Sequence, residues 1–495
     1  MKLVNTIIKT SGLVCLLAMC SCDFLKETSQ DEIIPSSLED LTSTMYAEAY
    51  PYKLSTDVYL NLLTDDVKSN GLTNDHYTNQ YKYGMGIFKF DPVMFDGGYA
   101  VVDDANSWKN YYEKIMGCNV TLDYLDKVTG SDDDKMAVKG QALLLRGYYY
   151  LRLALIYCQM YSAEGVDPNV ALGVPLMLTM DVSDDLPVRA TLKSTYAQIE
   201  SDLTEAEALL KEYYSNNSVF RVSYLAADAL LSRLYLYLGR DEDWQKVIDY
   251  ADKVLAERPT LTSLSSFSSQ FLQVGIWDTE VSVEPIWCYG LPSYNDENYF
   301  INELNLYWGD VPPYTISPKL LSLYDENDLR YDSYFFTEDM YGEVTTIGTA
   351  KVSSFYQTKY GDWGVRNAEM YLNRAEAYAR LYKAGGNSEY CTNAIADLNY
   401  LRENRYAEGT YQEVSITDAD ELLDFCLQER RRELSMECSF RWFDIKRLNL
   451  SVTHTFEDVA GLSTDYTLES GDPLYALPIP NSVIDRNTNL EQNPR

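Results

Sequence analysis

The sequence predicts a mainly α-helical protein: an irregular, tetratricopeptide-like scaffold of paired helices (an α-α superhelix) with long loop-rich inserts and little β structure. Three observations carry this expectation. Apolar residues recur at three- and four-residue steps over much of the chain, which is the period of one helix face. Tyr224 to Leu238 and Trp244 to Leu255 form a helix pair across the tight turn Gly239-Arg240-Asp241. Small Ala227 and Ala251 with large Leu231 and Leu234 give that pair the look of a tetratricopeptide unit. Finally, the pattern Leu-x-Arg-x-x-x-Tyr recurs in matching helices, as Leu144, Arg146, Tyr150, then Leu231, Arg233, Tyr237, then Leu372, Arg374, Tyr378. The copies are unevenly spaced, so the repeats are interrupted and do not form a regular solenoid.

Taken in order, the chain opens on a leader. Lys2 and Lys9 precede the apolar run Leu13 to Met19, too short for a membrane span and right for a signal peptide over residues 1–21. Ser21 before Cys22 fits a lipoprotein cleavage box, with Cys22 as the acylated residue. Cys20 competes, but bulky Met19 precedes it where a small residue is wanted. Several acyl chains on Cys22 would hold the protein durably to a membrane. No later stretch is apolar for long enough to span one. The formal net charge is −34, and it becomes two units more negative once Lys2 and Lys9 are removed. Such a chain repels phosphate backbones, which excludes nucleic acid as a partner. The six remaining cysteines (118, 158, 288, 391, 426 and 438) show neither CxxC nor metal-finger spacing, so buried thiols are expected, not disulfides.

Residues 22–37 read as a tether, and 38–495 as one domain. Leu38 to Lys53 is an entry helix. From about 57 to 105 the chain reads as loop, rich in glycine and aromatics. Helices are expected from Ser107 to Leu125, from Asp133 to Tyr161, and from Leu192 to Tyr213, with 181–190 as a connector. In the second of these, Gly140, Gly147 and Ala154 form a small-residue stripe for close helix approach. A later pair spans Ala368 to Leu381 and Glu389 to Glu403, joined across Gly385-Gly386. Between 259 and 365 helical periodicity fades, and only Val281 to Tyr289 alternates enough for a short strand. Prolines in Leu474 to Pro480 exclude a helix there.

Glu421 to Arg447 reads as one long helix followed by a turn. Glu429, Arg430, Arg431, Arg432, Glu433 and Glu437 place opposite charges three and four apart, ready to pair along the helix. So mixed a segment is best explained by clamping between other helices.

Catalytic patterns are missing. The two histidines, His76 and His454, are far apart, and no GxSxG elbow, Walker loop or GxGxxG occurs. No cofactor is expected. Asp132-Asp133-Asp134 is acidic enough to attract calcium but lacks EF-hand spacing and reads as a solvated turn. What stands out is tyrosine, 43 residues against 15 phenylalanines. Its apolar face and polar tip suit half-exposed surfaces, and those in the two loop regions lack a helix face to explain them. Such rings stack on sugar C–H faces for on the order of 1 kcal/mol each, enough in sum for millimolar to micromolar capture.

These residues resemble the SusD/RagB family of outer-membrane lipoproteins of Gram-negative bacteria. The resemblance rests on Cys22-Asp23-Phe24-Leu25, Trp108 to Asn119, Leu144 to Tyr150, Asp328-Leu329-Arg330, Ala368 to Ala379, and Leu398 to Arg402. Most specific are Glu429 to Leu434 with Arg441-Trp442-Phe443-Asp444, and the ending Leu477-Pro478-Ile479-Pro480 to Gln492-Asn493-Pro494. The resemblance implies four tetratricopeptide-like pairs and a non-enzymatic lid over a SusC-like TonB-dependent transporter. It also implies surface exposure at the outer membrane and an oligosaccharide or polysaccharide ligand. In the RagB branch the ligand is a peptide, and a protein-binding tetratricopeptide scaffold is a further alternative. Carried onto this chain, the implied ligand contacts are Asp65, then Tyr77, Tyr81 and Tyr83, then Tyr294, Tyr299, Tyr307 and Trp308. Trp287 is assigned to the core and Arg430 to Arg432 to the scaffold. One departure is Cys438, where the family usually carries glycine.

Overall fold

A computed structural model describes residues 35–52, 54, 57–70, 84–95, 106–181, 185–267, 275–289, 314–340, 343–349, 351, 363–458 and 460–495. Ten helices organise them: α1 (Leu38–Glu48), α2 (Ser107–Tyr124), α3 (Asp132–Tyr157), α4 (Leu192–Tyr213), α5 (Tyr224–Leu238), α6 (Trp244–Glu257), α7 (Asn367–Gly385), α8 (Ser388–Glu403), α9 (Ala419–Glu433) and α10 (Phe440–Arg447). The starts follow from local chemistry. Ser37, Ser131, Thr191 and Ser223 each accept a backbone N–H of the first turn, satisfying donors that the helix itself leaves open. Two of the ends are set by glycine, Gly239 at φ 62° and Gly386 at φ 69°.

Consecutive helices pack as neighbours, α3 against α4, α5 against α6, and α7 against α6, α8 and α9. Nearly every residue of α3 from Gly140 to Tyr157 is buried. The small-residue stripe does what its spacing suggests: a Cβ on Gly147 would lie 3.0 Å from Leu203 and one on Gly140 3.0 Å from Leu210, both on α4.

The recurrent arginine has one job in all three copies. Arg146 grips Asp202 on α4 with two bonds of 2.8 Å. Arg233 grips Glu369 on α7 at 2.7 and 2.6 Å, and Arg374 grips Asp397 on α8 at 2.9 and 2.6 Å. Each is a planar fork on a carboxylate of another helix, a geometry lysine cannot supply. The repeated motif is thus an interhelical latch.

Among the described residues, four two-stranded antiparallel sheets are set among the helices: β1 (Val67–Ser69) with β3 (Tyr314–Ile316), β2 (Pro285–Tyr289) with β6 (Trp363–Arg366), β4 (Phe335–Met340) with β5 (Glu343–Thr349), and β7 (Val452–Glu457) with β8 (Ser463–Leu468). The fold is therefore mainly helical with little β, as the sequence predicts. Trp287 is fully buried, and the six free cysteines from Cys118 to Cys438 are buried as well.

Several expectations are corrected. α1 stops at Glu48, short of Lys53, and α3 stops at Tyr157. The Asp132-Asp133-Asp134 run is the exposed first turn of α3, where acids complement the helix N-terminus. Region 57–105 is not all loop. A 3-10 helix over Val58–Leu63 buries Tyr59, Leu60, Leu62 and Leu63, and residues 84–88 are helical. Region 259–365 contributes β3 to β6, where only one strand was expected, and a 3-10 turn forms at Pro473–Tyr475 because proline tolerates a first-turn position.

The long helix from Glu421 is also two. α9 ends at Glu433, and Met436, Cys438 and Ser439 take left-handed φ values of 58°, 47° and 60° before α10 begins. The Glu433 carbonyl, which a continuing helix would offer to residue 437, is taken by Lys351 Nζ and Arg366 Nη2, both at 2.9 Å. The glycine that the resemblance implies at the position of Cys438 would have its reason here, since only glycine adopts such a φ without a steric cost.

Charges in this segment pair over distance more than along the helix. Glu429–Arg432 and Asp444–Arg447 are local. Glu429 also binds Arg330 and Arg402, and Glu433 binds Arg330, Arg366 and Arg405, all buried or nearly so. Burial alone would raise the pKa of Glu429, but Arg330, Arg402 and Arg432 outweigh it and hold the carboxyl at about 2. Glu433 is likewise held well below 4.5, with Arg405, Arg366 and Arg330 overcoming desolvation. A carboxyl depressed in the folded state stabilises fully above its unfolded pKa and loses that contribution as pH falls through the folded value. Buried Asp228, raised to about 7 by desolvation, acts with the opposite sign but gives no slope below its unfolded 3.8. The melting temperature should therefore drop steeply from about pH 4 towards pH 2. Calorimetry over that range checks it, and a flat profile would contradict the buried ion pairs.

Candidate functional site

The groove of interest lies where β1, the turn after β3 and the β7–β8 hairpin meet, and encloses about 430 Å³. Its position follows from the pairing of β1 with β3, in which Ser69 lies opposite Tyr314 and Val67 opposite Ile316. Two segments far apart in sequence are thereby joined. Residues 71–83 continue directly from Asn70, and residues 290–313 lead directly into Tyr314. Both aromatic-rich stretches are thus tied by the backbone to one small sheet, and Ser69 and Asn70 line the groove beside it.

β7 supplies the inner wall. Its pattern alternates strictly, with Val452, His454 and Phe456 buried and Thr453, Thr455 and Glu457 exposed. The His454 ring stacks on Phe88 and Phe90, with centroids 4.1 and 4.8 Å away. Nδ1 lies 2.7 Å from the Phe88 carbonyl and Nε2 2.9 Å from the Thr64 carbonyl. Burial lowers the histidine pKa, while those two carbonyls and Asp65 act to raise it. Both ring nitrogens are engaged by backbone, so His454 fastens β7 to the early segment and has no nitrogen left over for proton transfer in the groove.

Asp65 lines the same groove, with its side chain about 19% exposed. Its carboxylate takes two bonds from Arg441, at 2.8 and 3.0 Å, and Arg431 Nη2 lies 3.0 Å away. Burial acts to raise its pKa, but Arg441 and Arg431 win and hold it below the ordinary value. Asp65 is therefore a charged, oriented acceptor whose charge is balanced from behind. Arg431 also bonds Asp66 at 2.8 Å. Of the three consecutive arginines, Arg430 (on Asp444 and Asn373) and Arg432 (on Glu429 and the Leu323 carbonyl) brace the scaffold. Arg431 instead positions a groove residue. Sequence reading assigned all three to scaffold, because a helix face reveals which residues point together but not what they meet.

Of the other expected contacts, Tyr77, Tyr81, Tyr83, Tyr294, Tyr299, Tyr307 and Trp308 lie outside the described residues, as do the anchor Cys22 and His76. The β7–β8 hairpin was missed altogether. Its signal was present in Val452-Thr453-His454-Thr455-Phe456-Glu457, an alternation of period two followed by a turn with Gly461 at φ 75°. Among the described residues, no three His, Cys, Asp or Glu side chains gather where they could hold a metal, and no helix is long and apolar enough to cross a membrane.

Paired helices hold an open, polar groove in which, among the described residues, Asp65 is salt-bridged and His454 is held by two backbone carbonyls, an arrangement suited to binding. Two SusD-family descriptions match the chain. One, "starch-binding associating with outer membrane", covers residues 23–236, and the other, "SusD family", covers residues 324–495. Together they span most of the sequence, and the chain belongs to the SusD family. It is 24% identical over 434 residues to the SusD-like protein P38 of Formosa agariphila, with 78% of each chain covered. Among solved structures, it resembles a SusD superfamily protein of Bacteroides vulgatus with a TM-score of 0.70 and 20% identity, covering 93% of this chain and 99% of that one. A SusD-like carbohydrate-binding protein of the same species matches with a TM-score of 0.65 and 22% identity, covering 92% and 98%. These likenesses establish the fold. The matched families are binding proteins associated with the outer membrane, and no enzyme family is indicated.

Proposed function

We propose that this protein is a cell-surface, lipid-anchored glycan-binding component that captures oligosaccharide and delivers it to a SusC-like TonB-dependent transporter. The observation that supports the reading is the pairing of β1 with β3, which brings Asn70 and Tyr314, the residues at which the two aromatic-rich segments begin and end, together beside the groove where Asp65 is held charged. Family membership supplies the class of ligand. In this reading Asp65 accepts a sugar hydroxyl, while Tyr77, Tyr81, Tyr83, Tyr294, Tyr299, Tyr307 and Trp308 supply stacking surfaces. Cys22 carries the acyl chains.

Electrophoresis of the mature chain through gels loaded with different polysaccharides tests this. Retardation by a glycan is expected, with about a fivefold or greater loss of affinity in Tyr307→Ala or Trp308→Ala, the cost of one stacked ring. Retardation by no glycan, together with capture of peptides, would replace the sugar by a peptide cargo. Removal of the transporter connection would follow from failure to co-purify with any TonB-dependent barrel from outer membranes.

A further inference from the structure

The groove has a local charge at odds with the chain that carries it. The protein holds 75 acidic and 41 basic residues, so its distant field repels anions. In the groove the balance is different. Asp65 is matched by Arg441 and Arg431. Lys68, the outward residue of β1, and Lys319, just past β3, are both exposed, both line the groove, and form no ion pair with a described carboxylate. Lys319 is close enough for its charge to act on the His454 ring across the groove. Glu457 is the one lining carboxylate without an ion pair among the described residues. Ser69, Ser317, Thr453, Thr455 and Ser463 add hydroxyl groups to the wall, and the Thr455 hydroxyl donates to the Asp465 carboxylate at 2.6 Å.

Screening decides which field a ligand feels. At physiological salt the Debye length is about 8 Å, so carboxylates elsewhere on the surface are largely damped while lysines within the groove are not. A neutral sugar offers two exposed ammonium groups only hydroxyl acceptors, which replace water at little net gain. A carboxylate or sulfate ester on a sugar ring would replace that hydration with charge-assisted bonds. We infer that the groove takes an oligosaccharide bearing anionic groups, uronate or sulfate, with Lys68 and Lys319 as the anion contacts and Glu457 setting the limit on anion density at the hairpin end. This rests on the glycan-binding reading above.

The test is titration of the mature chain with polygalacturonate, a sulfated galactan, amylopectin and arabinoxylan, at about 20 mM and about 500 mM sodium chloride. Expected is binding of one of the two polyanions, weakened about tenfold or more by the higher salt. Lys319→Gln and Lys68→Gln should each weaken it several-fold, and Glu457→Gln should tighten it. Lys135→Gln, at a lysine that does not line the groove, should change nothing. Whether the carboxylated or the sulfated polymer binds distinguishes the two sources of charge. Lys68, Lys319 and Glu457 are exposed and Lys135 is half-buried near the start of α3, so melting temperatures should stay nearly unchanged and a lost fold cannot mimic the result. Binding of a neutral glycan alone, indifferent to salt and to both lysines, overturns the inference and leaves the glycan reading intact. Binding of no polysaccharide at all overturns both.

Discussion

Replacing Glu433 by glutamine should cost this protein about 3 to 5 kcal/mol, the usual penalty for breaking a buried ion pair from one side. The site makes the size plausible. Glu433 accepts from Arg405 at 3.0 Å on each oxygen, from Arg366 at 2.6 Å, from Arg330 at 3.1 Å, and from the Tyr334 hydroxyl at 2.9 Å. None of these partners touches solvent to any extent. Glutamine keeps the shape but removes the charge, and its amide turns two donors towards guanidinium groups that are themselves only donors. Glu284, Glu429, Glu437 and Asp328 share the same arginines and cannot take up the excess. A typical domain is stable by about 5 to 15 kcal/mol, so a large part of the total is at stake. Urea denaturation followed by circular dichroism gives the number. Glu421→Gln, at the exposed start of the same helix, should change stability by less than about 0.5 kcal/mol and serves as the comparison. Equal midpoints for the two variants would show that the buried network is dispensable.

Gly364→Ala should be about as damaging, for a backbone reason. Gly364 has φ 127°, and a Cβ there would lie 2.1 Å from the Trp287 carbonyl oxygen, which is backbone and cannot swing away. The β2–β6 pairing, in which Gly364 faces Cys288, would have to part. The Gly364 carbonyl also accepts from Arg233 Nη2 at 2.7 Å, so displacement would loosen the latch between Arg233 and Glu369 as well. Strain of this kind costs about 1 to 3 kcal/mol before the lost hydrogen bonds are added. The melting temperature of Gly364→Ala should fall by many degrees. Gly385→Ala, with nothing within 4 Å and no left-handed φ, should be neutral or slightly stabilising. Similar melting temperatures in the two would contradict the close approach.

Much of the scaffold was legible beforehand because helices announce themselves locally. The boundaries of Leu192–Tyr213 and Tyr224–Leu238 follow from periodicity, a capping Thr191 or Ser223, and a glycine at the end of the second. The repeated Leu-x-Arg-x-x-x-Tyr was visible as a pattern. Its purpose was not, because Asp202, Glu369 and Asp397 follow no fixed spacing from their arginines. The break after Glu433 was hidden for the same reason, since it depends on Lys351 and Arg366 arriving from elsewhere to claim a carbonyl. The hairpin at Val452–Leu468 carried an alternating signal that reading for helices passed over.

The sequence by itself determined where helices run, which small residues let them meet, and that aromatic-rich segments interrupt them, since these depend on neighbours a few residues apart. Only the tertiary structure decided that Ser69 lies opposite Tyr314, that Arg431 and Arg441 hold Asp65, and that Lys68 and Lys319 share a groove with His454. Strand pairing and ion pairing act between groups hundreds of residues apart, and a linear pattern of residue types carries no record of which distant partner each will find.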